Sequence, residues 1–270
     1  MMNRVLRKSA ATLKPPSTFP FNRKNFSMKK TLKRSESFPK ALPLAKVDVI
    51  AHRGARGNMP DHTLETYIAA FETGADWIEL DAHCTLDGEL VINHDIELGE
   101  TTDVADWAWA APLRTRTDAP CYDGEPQVME GWMVSDFTLA QLKKLRVKMR
   151  HQNRSQEFNL KYSIPTVEET CNLLQGMIDS IRGQQSHVWE KDEWLEARND
   201  YVLKHGFSRG NLNCGLYIET KRPSWYRSMG LPLEEKLVAC VENSNFKGPV
   251  IIQSFEEDSL QRIEDIKSEW

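Results

Sequence analysis

The chain has 270 residues, 40% of them hydrophobic, with 35 Lys and Arg against 39 Asp and Glu, a net charge of -4 and a pI near 6.0. That length and apolar content suit one large α/β domain and are too little for two of that size. The acidic balance gives nucleic acid no footing as a partner of the folded part, and no run of about 18 apolar residues is present to make a transmembrane helix.

Charge is unevenly spread. Lys and Arg recur from Arg4 to Arg34 with no acidic side chain before Glu36, so residues 1–45 read as a separate basic arm. Rich in Arg, Ser and Thr, the arm fits either a solvated, disordered extension or an organelle transit peptide, for a mitochondrion or a plastid. It lacks the apolar core of about seven residues that a secretory signal needs. Five cysteines without C-x-x-C spacing fit a reducing compartment and argue against a zinc site. The chain is therefore expected inside the cell, in the cytoplasm or an organelle, and not secreted. Within the arm, Arg34-Ser35-Glu36-Ser37-Phe38-Pro39 resembles a phosphoserine docking motif, with Ser37 as the acceptor for a phospho-dependent partner.

Val47-Asp48-Val49-Ile50-Ala51 is a β-branched run ending at His52-Arg53-Gly54, a strand leading into a polar loop. Thr63-Leu64-Glu65-Thr66 opens a helix with Leu64, Tyr67, Ile68 and Phe71 on one face, and Gly74 stops it. Trp77-Ile78-Glu79-Leu80-Asp81 is a second strand, Leu86-Asp87-Gly88-Glu89 a turn, and Leu90-Val91-Ile92 a third strand running to His94-Asp95. Residues 96–163 lose this regularity and read as an insertion at the mouth of a site, with one helix predicted over 138–145. Thr166 is placed to cap a helix from Pro165 to Leu174. Strands follow at 215–221 and 250–255, helices at 233–241 and from Glu256 onward.

Strands alternating with helices imply a parallel sheet covered by helices, and polar groups at the strand ends point to a TIM-type barrel. Only five strands with core character can be counted, at 47–51, 77–81, 90–93, 215–219 and 250–254, where such a barrel has eight. The expected fold is thus an α/β barrel, incomplete at the C-terminus, spanning residues 46–270 with the 96–163 insertion. Its 250–254 strand is expected to present a bare edge.

Glu79 and Asp81 lie two apart on a strand, so both side chains share a face and could share one cation. Two hard carboxylates suit Mg²⁺ or Ca²⁺ better than zinc. Glu219 ends a later strand in the same way, with Lys221 two residues on. Apolar flanks imply that these strands are buried, where an unpaired carboxylate costs several kcal/mol. His52 and His94 follow two strands beside Arg53 and Asp95, and suit a general base and acid. Arg53 and Lys221 supply the fixed positive charge that a phosphodiester needs. His83 shares the Glu79/Asp81 face, but the preference of hard cations for oxygen argues against it as a ligand. His62 reads as a loop or capping residue.

These residues resemble the glycerophosphodiester phosphodiesterase family. The match begins at His52-Arg53-Gly54 with Asn58-Met59-Pro60-Asp61-His62-Thr63 and runs through Glu79-Leu80-Asp81, Thr85-Leu86-Asp87-Gly88 and His94-Asp95. It continues at Ile164-Pro165-Thr166-Val167-Glu168-Glu169, Glu219-Thr220-Lys221 and Ser254-Phe255. The resemblance implies a TIM barrel in which Glu79, Asp81 and Glu219 bind one Ca²⁺ or Mg²⁺ and His52 and His94 act as base and acid. It further implies a deacylated phospholipid substrate such as glycerophosphocholine, cleaved to glycerol 3-phosphate and an alcohol. In the family's mechanism the glycerol 2-hydroxyl attacks phosphorus and water opens the resulting cyclic phosphate. Two local departures stand out. Asp61 is one methylene shorter than the family's usual Glu, which affects contact with Arg53, and Glu100 stands where many members carry Arg.

Two other functions compete. A lysophospholipase D or sphingomyelinase D-like enzyme would use the same residues, with Trp107, Trp109 and Trp132 as an apolar dock for an acyl chain. A catalytically silent or incomplete barrel serving as an interaction module would bind no cation.

Overall fold

The computed structural model describes residues 5–7, 47–120, 126–182 and 211–267. Ser37 and most of the basic arm lie outside the described residues, as do Cys121, His187 and His205. Among the described residues the main sheet has six strands: β1 (Val5–Arg7), β2 (Ile50–Ala51), β3 (Trp77–Cys84), β4 (Leu90–Ile92), β7 (Gly215–Thr220) and β8 (Val250–Ser254). A separate antiparallel hairpin joins β5 (Thr115–Pro120) to β6 (Pro126–Gly131). Helices α1 (Leu64–Glu72), α2 (Leu139–Leu142), α3 (Val167–Arg182), α4 (Pro223–Ser228), α5 (Leu233–Asn243) and α6 (Glu257–Ile266) complete the described elements, apart from three short 3₁₀ turns.

The order of the sheet is β1-β8-β7-β3-β2, with β2, β3, β7 and β8 parallel, as the alternation of strands and helices requires. Among the described residues the sheet is open. Two expectations are corrected here. β4 does not join the parallel set: the tight turn at Asp87-Gly88 folds it back antiparallel on β3, and a connection this short cannot cross over to a parallel neighbour. The outer edge of β8 is not bare, because Val5–Arg7 of the arm pairs with it antiparallel.

Pleating sorts the strands' side chains. Ile78, Leu80, Ala82, Leu216, Ile218, Val250 and Ile252 join the main core with residues from α1, α3, α4, α5 and α6. The alternate positions, Glu79, Asp81, His83, Glu219 and Gln253, face the other side. Local signals set the helix ends. Thr63 accepts from Thr66 N–H at the start of α1, and Gly74, at φ 91°, turns the chain out of it. At α3, Thr166 accepts from Glu169 N–H (2.9 Å) while the Glu169 carboxylate accepts from Thr166 N–H (2.7 Å), a reciprocal capping box. The helix predicted over 138–145 shrinks to one turn, and the run predicted to end at Leu174 continues to Arg182.

Candidate active site

Strand register places the acids. Asp81 of β3 pairs directly with Glu219 of β7, which pairs in turn with Gln253 of β8, so three polar side chains form a rung across three strands. Glu79 stands one step before Asp81 on the same face. Carboxylate oxygens of Glu79, Asp81 and Glu219 all lie within 4.8 Å of one another, and the residues are only 3%, 1% and 4% exposed. Gln253 Nε2 donates to Glu219 Oε2 at 2.8 Å. Lys221 Nζ lies 3.2 Å from Asp81 Oδ1 and is ion-paired to Glu219 Oε1. Expected to face phosphate, Lys221 is thus the counter-charge of the acids as well as a wall of the adjoining cleft.

Three buried carboxylates against one ammonium leave a surplus of negative charge. Glu79 responds by holding its proton: burial, reinforced by the charge of Asp81, pushes it up to about 9. Burial lifts Glu219 too, against the pull of Lys221. For Asp81 burial works the same way but loses to His62 and Lys221, which keep it well below the usual carboxylate range. A buried all-oxygen donor set with surplus negative charge fits a hard divalent cation.

The loop after β2 adds the next groups. Arg53 takes a left-handed conformation, φ 62°, and its N–H donates to Glu79 Oε2 at 2.6 Å. Gly54 follows at φ 82°, and a Cβ there would stand 2.3 Å from the Thr66 methyl, so glycine is required. The Arg53 guanidinium reaches Asp61 at 3.3 Å, so the shorter acid still makes that contact. Asp61 also draws Arg56, Arg150 and Arg154 to within 4.0 Å.

A cleft of about 470 Å³ opens beside the acids, its lining including His52, Arg53, His94, Glu219 and Lys221, with Ile96, Met129 and Phe255 as its apolar surface. Burial, with Arg53 and Arg56 adding repulsion, lowers the pKa of His52 and keeps it neutral. His94 Nδ1 lies 2.6 Å from Asp95 Oδ1, while Arg150 holds the other Asp95 oxygen. Burial opposes ionisation of Asp95, yet His94 and Arg150 outweigh it and hold the carboxyl at about 2. Every residue singled out from the sequence for this site is therefore at or beside one cleft.

Other sequence expectations shift. His62, read as a loop or capping residue, does lie in a loop, but it is buried against Asp81. His83 lies outside the acidic group: its Nδ1 meets Tyr226 Oη at 2.9 Å, and burial pushes its pKa down to about 3. Trp109 and Trp132 pack on a second core, and Trp132 Nε1 donates to the Ala110 carbonyl. None of the three tryptophans weighed as an acyl dock lines the cleft. Arg150 and Gln253 escaped the sequence reading, because only tertiary approach brings Arg150 to Asp95. Gln253 was findable in principle, at the matching level of the next parallel strand.

Parallel strands backed by helices, with acids and histidines converging at one end, define a TIM-barrel-like α/β protein with a candidate metal centre. The chain belongs to the glycerophosphoryl diester phosphodiesterase family, whose sequence model matches residues 52–269. It is 31% identical to a glycerophosphodiester phosphodiesterase of Arabidopsis thaliana over 80% of this chain and 52% of that one. A Bacillus subtilis glycerophosphodiester phosphodiesterase is 29% identical over 82% of this chain and 57% of its own. The chain thus spans about half the length of the curated relatives it matches. Among solved structures, an Oleispira antarctica phosphodiesterase in complex with the product sn-glycerol-3-phosphate superposes with a TM-score of 0.50 at 21% identity, covering 83% of this chain and 63% of that one. That likeness supports the fold assignment.

Proposed function

We propose that the chain hydrolyses glycerophosphodiesters in a divalent-cation-dependent reaction, releasing glycerol 3-phosphate and an alcohol. The observation that carries this reading is the convergence of Glu79, Asp81 and Glu219 within 4.8 Å beside a cleft whose lining includes His52, His94, Arg53 and Lys221. Family membership supports it, as does the product held by the Oleispira structure. Glu79, Asp81 and Glu219 would hold one Ca²⁺ or Mg²⁺, which when bound supplies positive charge to the phosphate oxygens.

His52, neutral and at the cleft wall, takes the proton of the glycerol 2-hydroxyl as that oxygen attacks phosphorus. His94 gives a proton to the leaving alcohol. Asp95 fixes the orientation of its ring, and Arg150 fixes Asp95. Arg53 and Lys221 place positive charge along the wall that the phosphate meets. Water then opens the cyclic phosphate with the two histidines exchanging roles. Packing of Trp109 and Trp132 away from the cleft disfavours an acylated substrate, and the intact acid and histidine set disfavours a silent module.

Release of glycerol 3-phosphate from glycerophosphocholine, measured with and without chelator and against lysophosphatidylcholine, tests the proposal. Chelator-sensitive release from glycerophosphocholine alone is expected. Release unaffected by chelator, or none from any glycerophosphodiester, would overturn it. No helix among the described residues is long and apolar enough to cross a membrane.

A further inference from the structure

The loop between β2 and α1 contains two non-glycine residues in the left-handed region, Arg53 at φ 62° and His62 at φ 55°. Each is a strained state for a residue with a side chain, and such strain persists only where the surroundings impose it. The two are tied together: His62 N–H donates to the Arg53 carbonyl at 3.2 Å. Each then delivers one donor to one acid of β3. Arg53 N–H reaches Glu79 Oε2 at 2.6 Å, and His62 Nε2 reaches Asp81 Oδ2 at 2.8 Å. The loop is a clasp whose two strained residues face the two carboxylates.

The imidazole is itself held from behind. His62 is 2% exposed, and its Nδ1 lies 2.8 Å from the hydroxyl of Tyr67, a core residue of α1 that is also 2% exposed. With Tyr67 O–H donating to Nδ1, the ring carries its hydrogen on Nε2 and donates it to Asp81. Oδ2 is thereby turned back toward the loop. Oδ1 is left toward Lys221 and the acidic cluster. Asp81 has a short side chain at a buried rung, so the orientation of its carboxyl group decides which oxygen a cation meets. The left-handed backbone at residue 62 would be less strained for glycine, so it does not by itself call for a histidine.

We propose that His62 is a positioning residue of the cation site, presenting Asp81 Oδ1 to the bound ion with Tyr67 fixing its tautomer. The inference rests on the reading of Glu79, Asp81 and Glu219 as cation ligands. It predicts that loss of the Nε2 donor weakens cation affinity by about 10–100-fold, the range for partners of metal ligands.

Calorimetric titration of the full chain with Ca²⁺ and Mg²⁺ separately tests this, using wild type, His62→Leu, His62→Gln and Tyr67→Phe, with melting temperatures taken in chelator. Glutamine places an N–H donor close to the position of the histidine Nε2. His62→Gln is therefore expected to bind within about threefold of wild type, and His62→Leu about 10–100-fold more weakly. A purely structural role would lower the melting temperature of both variants without separating their affinities. Wild-type affinity in His62→Leu would overturn the inference while leaving the cluster reading standing, as would equal losses in His62→Leu and His62→Gln. Absence of any cation binding by wild type would overturn both. Should His62→Leu fail to fold, Tyr67→Phe decides: a loss of about threefold or more is expected, and unchanged affinity would refute the clasp.

Discussion

The described residues form two hydrophobic cores built by different means. The main core lies under the sheet, where Ile78, Leu80, Ile218 and Ile252 meet helices α1, α3, α5 and α6, and ladders of backbone hydrogen bonds fix the strands in register. The second core, with Leu98, Val104, Phe137, Leu142 and Leu145, belongs to the insertion and has almost no regular structure. Side chains bonded to backbone hold it instead: Arg146 N–H donates to Asp103, Lys148 Nζ to the Gly99 carbonyl, and Glu97 accepts from Gly99 and Trp132 N–H. The sheet side carries the acids, whose mutual distances register sets. The insertion carries Arg150, on an irregular loop, and Met129, on strand β6 of the separate hairpin. Chemistry that needs fixed distances thus sits on strands, and the parts that shape the cleft sit where insertions are tolerated.

The largest expected effect is on the sheet side. Asp81→Asn keeps the shape of the rung but removes the charge that balances Lys221, and should lower turnover by roughly a thousandfold and abolish detectable cation binding. Calorimetry beside the glycerol 3-phosphate assay checks this, and wild-type turnover would break the proposed division of labour. On the insertion side, Phe137→Ala removes a fully buried ring and should cost about 3–5 kcal/mol. β4 belongs to both cores: Leu90 and Ile92 pack into the main one and Val91 into the second. Unfolding of Phe137→Ala by urea should therefore remain a single transition. A separate early transition, with cation binding intact, would show that the insertion folds on its own.

Smaller effects sharpen the contrast. His94→Ala should lower kcat by about a hundredfold and leave cation affinity within about twofold, because His94 is not among the convergent acids. His52→Ala should behave likewise. A cation affinity that falls with turnover in either variant would move that histidine from proton transfer into the metal site.

What could be read in advance follows the same divide. Period-two alternation in Trp77–Asp81 puts Glu79 and Asp81 on one face, because pleating leaves no other choice, whereas the place of Glu219 beside them comes from the strand register. Thr63 and Thr166 announced two helix starts for an equally local reason. The antiparallel return of β4 was hidden, since Leu90-Val91-Ile92 reads the same in either direction, although the tight Asp87-Gly88 turn carried the signal. Outside the helix predicted over 138–145 the insertion offered no period. Its core forms from single residues on 3₁₀ turns and loops, whose partners are set by tertiary contact alone. The role of His62 was invisible for a related reason: its left-handed backbone aims the ring at a strand 19 residues away, and nothing in the sequence marks that backbone state for a non-glycine residue.

The junction between the two regions offers a test at the small end of the scale. Glu65 lies in the first turn of α1, and the charged or ionisable groups around it are Lys143 and Tyr162 of the insertion and Glu169 of α3. Burial, with Glu169 adding repulsion and Thr63 and Lys143 opposing, pushes its pKa from 4.5 up to about 7. The folded chain therefore binds more protons than the unfolded chain between these two values, and stability falls as pH rises through that window. The full shift sets an upper bound of about 3 kcal/mol, and partial exposure of the side chain reduces the expected loss to on the order of 1–2 kcal/mol. Glu65→Gln cannot ionise, so its stability relative to wild type should rise by that amount between pH 5 and pH 8, read from urea unfolding at both. Any contribution from Glu79 is common to both proteins and cancels in the difference. Parallel stability curves would mean that Glu65 is solvated, and that the insertion does not close over α1 in solution.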